Sequence, residues 1–509
     1  MTTAHLAIDL GASSGRAIIG VLEGSPARLR IEEVSRFEHT PGITPAGPVW
    51  DLTGIWNHIT VALKRAVDWC SERTIEFASV GVDTWGVDWA LVGTSGDLLS
   101  LPHCYRDPRN VEIADRVLEK MGGRDALYAR TGIQHMPLNT IFQVAARHID
   151  EPRLFDAADR LLFLPDLFHY WLSGEMSNER TIASTSSMLD VETGEWDSDL
   201  IAKLGLPEHL FSPLEDPGFE VGMVRDEIEQ AIGAVAPIRV VAPAAHDTAS
   251  AVAAVPFAPG EAASSAYLSS GTWSLLGIER ESPLASPEAG AVPLTNERGV
   301  AGTVRVLKNI AGLWLVQELR RELLASGRNL SFAEMTEQAA AAEPFRTIVD
   351  PDFPDFALPG DMSGKVQRYA EATGQQAPEN VGQFVRCCLE GLALGYRRTI
   401  DQVEKITGAK IETLHAVGGG VNNRLLSQFA AEAIHRPVIC GPTEATAIGN
   451  LLMQAYGCGA VADRHEIREV VARSFETERF EAGSNGSGDW SAAQSTFAQL
   501  VARRGDLFE

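Results

Sequence analysis

Two acids far apart in this sequence stand where phosphate chemistry could use them. Asp9 closes an apolar run, Leu6-Ala7-Ile8-Asp9-Leu10. A buried strand that ends on a carboxylate can hold it beside a metal ion. Directly after it comes Gly11-Ala12-Ser13-Ser14-Gly15-Arg16, a turn of small residues. Such a turn offers backbone N–H groups and hydroxyls to phosphate oxygens, and it reads as the grip on a nucleoside triphosphate. The second acid, Asp247, follows His246 where a strand gives way to a helix. A carboxylate there either caps the helix or accepts the proton of a hydroxyl that attacks phosphorus. In the second case His246 and Thr248 would hold neighbouring hydroxyls, although a single histidine in this place can equally be structural.

Other readings of the first turn are open. Gly11-Ala12-Ser13-Ser14-Gly15 matches the G-x-S-x-G nucleophile elbow of hydrolases, but that motif needs a helix straight after the serine. Here an apolar, strand-like run follows. A plain hairpin turn is the remaining option. No G-x-x-x-x-G-K-[ST] loop occurs, since Gly360 to Lys365 is one residue short.

Three further stretches bear on chemistry. Asp83-Thr84-Trp85-Gly86-Val87-Asp88-Trp89 offers carboxylates and indole faces to a sugar, with Gly86 permitting close approach; the same tryptophans also suit a core. Gly418-Gly419-Gly420-Val421-Asn422-Asn423 lacks the third glycine of a dinucleotide fingerprint and suits a floor under adenine or its α-phosphate. Asn309 and Gln317 lie eight positions apart on one helix and so share a face two turns apart, whether that face meets a cleft or solvent.

These groups need elements to position them. Leu6–Asp9, Ala17–Leu22 and Arg30–Arg36 suit an antiparallel meander. Leu52 to Cys70 carries apolar residues at helical spacing. Ala78–Thr84 is a buried strand that Val87–Val92 extends, and helices follow from Val111 to about Asp150 and over Ala157–Leu172. Ile238–Ala242 is a strand broken by Pro243. Ala266 to Ile278 repeats the pattern strand, Ser/Gly turn, strand seen at Ala7 to Val21, which suits a duplicated domain. Lys308–Ala325, Val381–Ile406 and Ala445–Tyr456 read as helices, Leu414–Val417 and Pro437–Cys440 as strands, Pro344–Gly364 as an ordered loop, and Ser484-Asn485-Gly486-Ser487-Gly488 as a flexible turn.

The 509 residues suffice for two large domains, and 45% apolar with 22% charged residues is ordinary for a globular protein. A formal net charge of −25 argues against a nucleic-acid partner. It also means that a nucleotide must be held by local N–H groups and a divalent ion. The six cysteines form no C-x-x-C pair, which speaks against zinc and disulfides and for buried thiols in a reducing cytoplasm. The N-terminal stretch lacks the marks of a signal peptide, and no run of 18 apolar residues predicts a membrane span.

Taken together, the motifs above, with Tyr105-Arg106-Asp107-Pro108-Arg109, His246-Asp247-Thr248-Ala249-Ser250, Ser269-Ser270-Gly271-Thr272-Trp273-Ser274 and Lys308-Asn309-Ile310, resemble the FGGY carbohydrate kinases, in that family's order and over nearly the whole chain. They are most similar to the branch that acts on L-rhamnulose. Many FGGY kinases have Lys-x-x-Trp where Pro137–Gln143 stands here, a change that this branch shares, and often Trp at the place of Tyr105. The resemblance implies an α/β fold: two ribonuclease-H-like domains of the actin/hexokinase type with an interdomain cleft. Residues 1–248 would form the sugar-side domain and 249–509 the nucleotide-side domain. It implies ATP-dependent phosphorylation of the L-rhamnulose 1-hydroxyl in rhamnose breakdown, with Asp247 as proton acceptor. Gly86, His246, Thr248 and Asn309 match sugar contacts. Ala12, Ser13, Ser14, Gly15, Arg16, Thr272, Gln317 and Gly419 match ATP contacts, and Asp9 matches the acid that orients Mg²⁺. Alternatives are a kinase for another ketose such as L-fuculose or L-xylulose, a non-catalytic sugar sensor on the same fold, and a serine hydrolase.

Overall fold

The computed structural model describes residues 3–483 and 489–504; the turn expected at 484–488 lies outside them. The chain gathers into two compact units. The first is built from the chain up to Ala258, Glu279–Val306 and Ala445–Phe475, the second from Pro259–Ile278, Leu307–Glu444 and the stretch from Glu476 on. The division at residues 248 and 249 remains a sequence reading; by packing, the leading stretch ends at Ala258 and two later segments join it.

The first unit is organised on one sheet. Its strands are β1 (Thr3–Leu10), β2 (Ser14–Glu23), β3 (Arg28–Glu38), β4 (Glu76–Thr84), β5 (Glu220–Met223) and β6 (Arg239–Val241). They lie in the order β5-β6-β4-β1-β2-β3. The meander β1-β2-β3 is antiparallel, β1, β4 and β6 are parallel neighbours, and β5 returns antiparallel to β6. Parallel strands must be buried on both faces, and β1 reads accordingly: every residue from Ala4 to Leu10 is buried. Helix α1 (Leu52–Arg73) links β3 to β4 and buries Leu52, Ile55, Ile59, Ala62, Leu63 and Ala66, the stripe that its periodicity predicts. Asp51 caps it by accepting from the Gly54 N–H.

The second unit repeats this plan. Its strands are β7 (Ser265–Ser270), β8 (Trp273–Arg280), β9 (Val304–Ala311), β10 (Thr413–Val417), β11 (Val438–Cys440) and β12 (Glu478–Phe480), in the order β9-β8-β7-β10-β11-β12. As in the first unit, a hairpin (β7-β8) is followed by two parallel neighbours (β10, β11) and an antiparallel edge (β12). Helix α4 (Val381–Thr407) precedes β10. The expected duplication is therefore present at the level of topology.

Three local expectations fail. Val87–Val92 does not extend β4; Trp89–Gly93 instead pairs antiparallel with Ala158–Phe163 in a separate ribbon. That removes the helix start expected at Ala157, and the helix begins only at Leu164. Lys308 to Ala311 belongs to β9, where Val304, Val306 and Ile310 favour a strand, and helix α3 (Trp314–Ala325) starts after Gly312. Among the described residues all six cysteines are free, and no helix is long and apolar enough to cross a membrane.

Two further helices belong to the first unit. The short α2 (Asp247–Ala253) packs on α5 (Ala445–Gly457). Gly449 is the point of closest approach: a Cβ there would stand 1.8 Å from the Ser250 carbonyl oxygen. Gly449→Ala should therefore overpack the contact and cost about 1–3 kcal/mol, read as a lower urea midpoint. An unchanged midpoint would mean that the two helices separate freely.

Candidate active site

The parallel strands β1, β4 and β6 bring three carboxylates to one end of the first unit's sheet. Asp9 and Asp83 are register partners on β1 and β4. The Thr84 N–H donates to the Ala245 carbonyl at 2.9 Å and the Trp85 N–H to the Leu10 carbonyl at 3.0 Å. These bonds tie the segment that leads from β6 into Asp247 alongside the ends of β4 and β1. Carboxyl ends of parallel strands are where α/β sheets place ligands.

Each acid has a different surrounding. Asp9 is paired with Arg16, whose Nε and a terminal nitrogen lie 2.8 and 2.7 Å from its Oδ2. Asp83 is completely buried and accepts from the Asn450 amide at 2.6 Å; its Oδ1 has no hydrogen-bond partner. Burial, and then the nearby Asp9 charge, drive the Asp83 carboxyl well above the ordinary range. Asp247 keeps 29% of its side chain exposed. Its Oδ1 accepts from the Thr248 N–H at 2.5 Å and the Thr248 hydroxyl at 3.0 Å, and faces His246 Nε2 at 3.3 Å. Burial in its surroundings and the Asp9 charge raise its pKa, while His246 and Thr248 pull against them. His246, not Asp247, is the residue at the helix cap, and its side chain makes no capping bond. The simple capping reading of Asp247 therefore fails.

A polar chain behind this cluster sets Asp83. On α5, Asn450 also donates to the Gly81 carbonyl, and Gln454 donates to Asn450 Oδ1 and the Leu6 carbonyl. Ser79 donates to Gln454 and meets His5 Nδ1. All of these side chains are buried, so every bond replaces one that water would have made. Sequence reading missed Asn450 and Gln454; the signal was a polar pair one turn apart in an otherwise apolar helix.

Gly86 lies against His246: a Cβ added to it would stand 3.4 Å from Nε2 and 3.2 Å from Thr185. The next residue, Val87, has φ 72°, a costly conformation for a β-branched side chain. Three bonds hold it there. The Thr185 hydroxyl accepts from its N–H, and its carbonyl accepts from the Thr140 hydroxyl and the Gln143 amide. Trp85, Trp89 and Asp88 are buried. They are core, not a sugar face. Asp88 Oδ2 accepts from both the Trp50 and Trp85 indoles, at 2.6 and 2.8 Å.

The first turn is a hairpin, with the Gly11 N–H on the Ser14 carbonyl at 2.9 Å. Strand β2 follows Ser13 directly, so the hydrolase elbow is absent. Ser13 and Ser14 are exposed, Ala12 and Arg16 half-buried, and Gly15 packs on the Phe37 ring. In this unit the predicted residues Asp9, Arg16, Gly86, His246, Asp247 and Thr248 come together.

In the second unit the matching strand ends carry no acids. The β7-β8 turn has the Gly271 N–H on the Trp273 carbonyl at 2.9 Å, and the Gly271 and Thr272 carbonyls accept from the Leu313 and Trp314 N–H groups at the start of α3. Gln317 sits one turn into that helix, its N–H on the Leu313 carbonyl. The glycine run after β10 presses on Ser270: a Cβ on Gly420 would come within 2.0 Å of its hydroxyl oxygen. Around Gly419 a Cβ would meet nothing within 4 Å. Thr272, Gln317 and Gly419 are thus gathered around one strand end. Asn309 is half-buried on β9, so it does not share a helix face with Gln317.

Known proteins match this pattern over nearly its whole length. Residues 4–254 match the N-terminal domain and residues 266–458 the C-terminal domain of the FGGY family of carbohydrate kinases. A rhamnulokinase from Bacteroides thetaiotaomicron is 40% identical over 97% of this chain and 99% of its own. One from Pectobacterium carotovorum subsp. carotovorum is 38% identical over 98% of both. In fold, the chain is similar to a xylulose kinase from Rhodospirillum rubrum, with TM-score 0.79 and 20% identity over 99% of each chain. It is also similar to Plasmodium falciparum glycerol kinase with ADP, with TM-score 0.76 and 15% identity over 99% of this chain and 98% of that one.

Burial lifts the Asp88 carboxyl to about 7 against the pull of the two indole donors. A folded pKa above the unfolded value favours the fold when the group is protonated. That contribution is complete below pH ~4 and is lost as pH rises through about 7. Asp88→Asn keeps an acceptor for both indoles and removes the titration. The variant should gain stability relative to the parent between those limits, measured as urea midpoints across pH. Parallel curves would show that Asp88 is ionised in the fold.

Proposed function

The chain belongs to the FGGY family of carbohydrate kinases, and from that membership we propose that it transfers the γ-phosphoryl group of ATP to the 1-hydroxyl of L-rhamnulose, giving L-rhamnulose 1-phosphate and ADP in L-rhamnose breakdown. The relatives named rhamnulokinase, matched over 93–98% of this chain at 37–40% identity, support this sugar over other ketoses. The observation that carries the chemistry is the Asp247 carboxylate. Its Oδ1 is occupied by Thr248 and faces His246, and the partly exposed side chain leaves Oδ2 for substrate.

Asp247 takes the proton of the 1-hydroxyl as its oxygen attacks the γ-phosphorus and ADP departs. Its raised proton affinity makes it a better acceptor than a free carboxylate. Gly86, His246, Thr248 and Asn309 hold the sugar; Ala12 to Arg16, Thr272, Gln317 and Gly419 hold ATP. Backbone N–H groups in the Gly11–Arg16 turn offset charge on the phosphates, and most of the rate comes from alignment and electrostatics.

Among the described residues no three His, Cys, Asp or Glu side chains form a cage for a metal. Mg²⁺ needs no cage, because it keeps water and takes one or two carboxylates together with phosphate oxygens. Asp9 and the partnerless Oδ1 of Asp83 fit that role. When bound, the ion would neutralise charge on the transferring phosphoryl group.

Coupled ADP release across a panel of L-rhamnulose, L-fuculose, L-xylulose and D-xylulose tests the substrate. The highest kcat/KM is expected for L-rhamnulose; preference for another ketose would reassign the sugar, and no sugar-dependent ADP would favour a sensor. Asp247→Asn should fold, bind ATP and turn over at least ~10²-fold more slowly. A variant within twofold of the parent would remove Asp247 from the base role.

A further inference from the structure

His246 is held from behind by two buried charges that the mechanism above does not use. Glu297, on the strand Thr295–Arg298, places Oε2 3.2 Å from His246 Nδ1. Arg305 is completely buried. One terminal nitrogen of its guanidinium lies 3.1 Å from the same Glu297 oxygen and 3.2 Å from Nδ1. All three residues belong to the first unit, Arg305 on the leading part of β9, up to Val306, that packs with it. Arg305 is itself fixed, because its Nε donates to the Arg298 carbonyl at 3.0 Å.

Two neighbours compete for Nδ1, and they ask for opposite things. Glu297 could only accept a proton from it, while Arg305 can only donate to it. Alignment decides between them. The Arg305 N–H points at Nδ1 as a hydrogen bond, whereas Glu297 Oε2 has no aligned hydrogen-bond donor among the described residues. A guanidinium never gives up its proton in a protein, so Nδ1 must serve as acceptor. The one ring proton is then on Nε2, the nitrogen that faces Asp247 at 3.3 Å and Gly86. The hydrogen bond at one imidazole nitrogen fixes the state of the other.

We propose that Arg305, with its charge balanced by Glu297, locks His246 as the neutral Nε2–H tautomer. In that state His246 has no lone pair free at Nε2. It can donate to Asp247 and to a sugar oxygen but cannot take the proton of the attacking hydroxyl, so that role falls to Asp247 alone. Arg305 and Glu297 are positioning residues, acting through His246. Glu297 is held ionised for this purpose: burial would raise its pKa, but the Arg305 guanidinium beside it brings it below the ordinary value. The inference rests on the kinase reading for its kinetic consequence but not for the tautomer itself.

The first test needs no sugar. In ¹⁵N-histidine-labelled full-length protein at neutral pH, the His246 ring signals are assigned by their loss in His246→Gln. A protonated Nε2 with an unprotonated Nδ1 is expected; an imidazolium or an Nδ1–H ring would overturn the proposal. The second test is a cycle on whichever ketose the parent phosphorylates. Arg305→Gln with Glu297→Gln removes both charges together, so neither is left buried alone. This pair should lower kcat at least about tenfold with the KM for ATP little changed. A glutamine at position 246 carries an N–H donor near the place of Nε2 and needs no tautomer lock. In that background the charge pair should cost less than about threefold. An equal loss in both backgrounds would assign the two charges to the fold and end the proposal. A parent that phosphorylates no sugar would end the kinase reading and leave the NMR result standing.

Discussion

Three carboxylates crowded at the ends of neighbouring parallel strands are the constraint that the first unit answers. Like charges at close range in a poorly hydrated place cannot all remain ionised without compensation. Each acid has its own form of relief. Asp9 has a full opposite charge in Arg16. Asp83, completely buried, accepts from the neutral amide of Asn450 and is driven toward its protonated form by burial and the Asp9 charge. Asp247 is partly exposed and leans on Thr248 and His246. This gradation, from charge to dipole to solvent, separates the roles that three chemically identical side chains can take. It also explains why α5, distant in sequence, must return to the first unit. Asn450 sets Asp83 from behind, and the Gly449 contact seats the helix that begins at Asp247.

The same sheet plan carries opposite chemistry in the two units. At the ends of β1 and β4 and beyond β6 stand Asp9, Asp83 and Asp247. At the ends of β7, β10 and β11 stand Ser270 with Gly271, Gly418 to Gly420, and Gly441. Acids suit a metal and a hydroxyl that must lose its proton. Glycines suit a polyphosphate or a nucleoside, because backbone N–H groups can then approach without side chains in the way. In a chain of net charge −25, anion binding depends on such local arrangements and not on overall field. A duplicated topology with different chemistry at its strand ends is an economical route to a two-substrate enzyme.

Much of this was legible in the residues. Leu6–Asp9 with its Ser/Gly turn, the helix from Leu52 and the strand-to-helix step at His246-Asp247 each combine periodicity with a breaker, and local signals of that kind survive folding. The losses have physical causes. Lys308 to Ala311 reads as helix from composition, but β-branched neighbours upstream and Gly312 downstream make it the end of a strand, which separates Asn309 from the face of Gln317. Ala158–Phe163 becomes strand only because Trp89–Gly93 pairs with it, a contact with no local trace. Glu297, Arg305 and Asn450 were missed for a related reason. The meaning of each lies in what stands opposite, which no local pattern records.

The break at Gly86-Val87 shows how strain and site are joined. If β4 ran on through Val92, its backbone would continue past Asp83 and cover the strand ends where the acids stand. A left-handed Val87 turns the chain away instead. Such a conformation costs on the order of 1–3 kcal/mol and persists only where the surroundings over-determine it. Here they do so from two directions. Thr185 holds the N–H, and Thr140 and Gln143 hold the carbonyl. Thr140 and Gln143 lie three positions apart on one helix, Thr140–Asp150, so both can reach the same backbone carbonyl. The cost of the turn is thereby met by three hydrogen bonds, and what it secures is open backbone at Gly86 beside His246 Nε2.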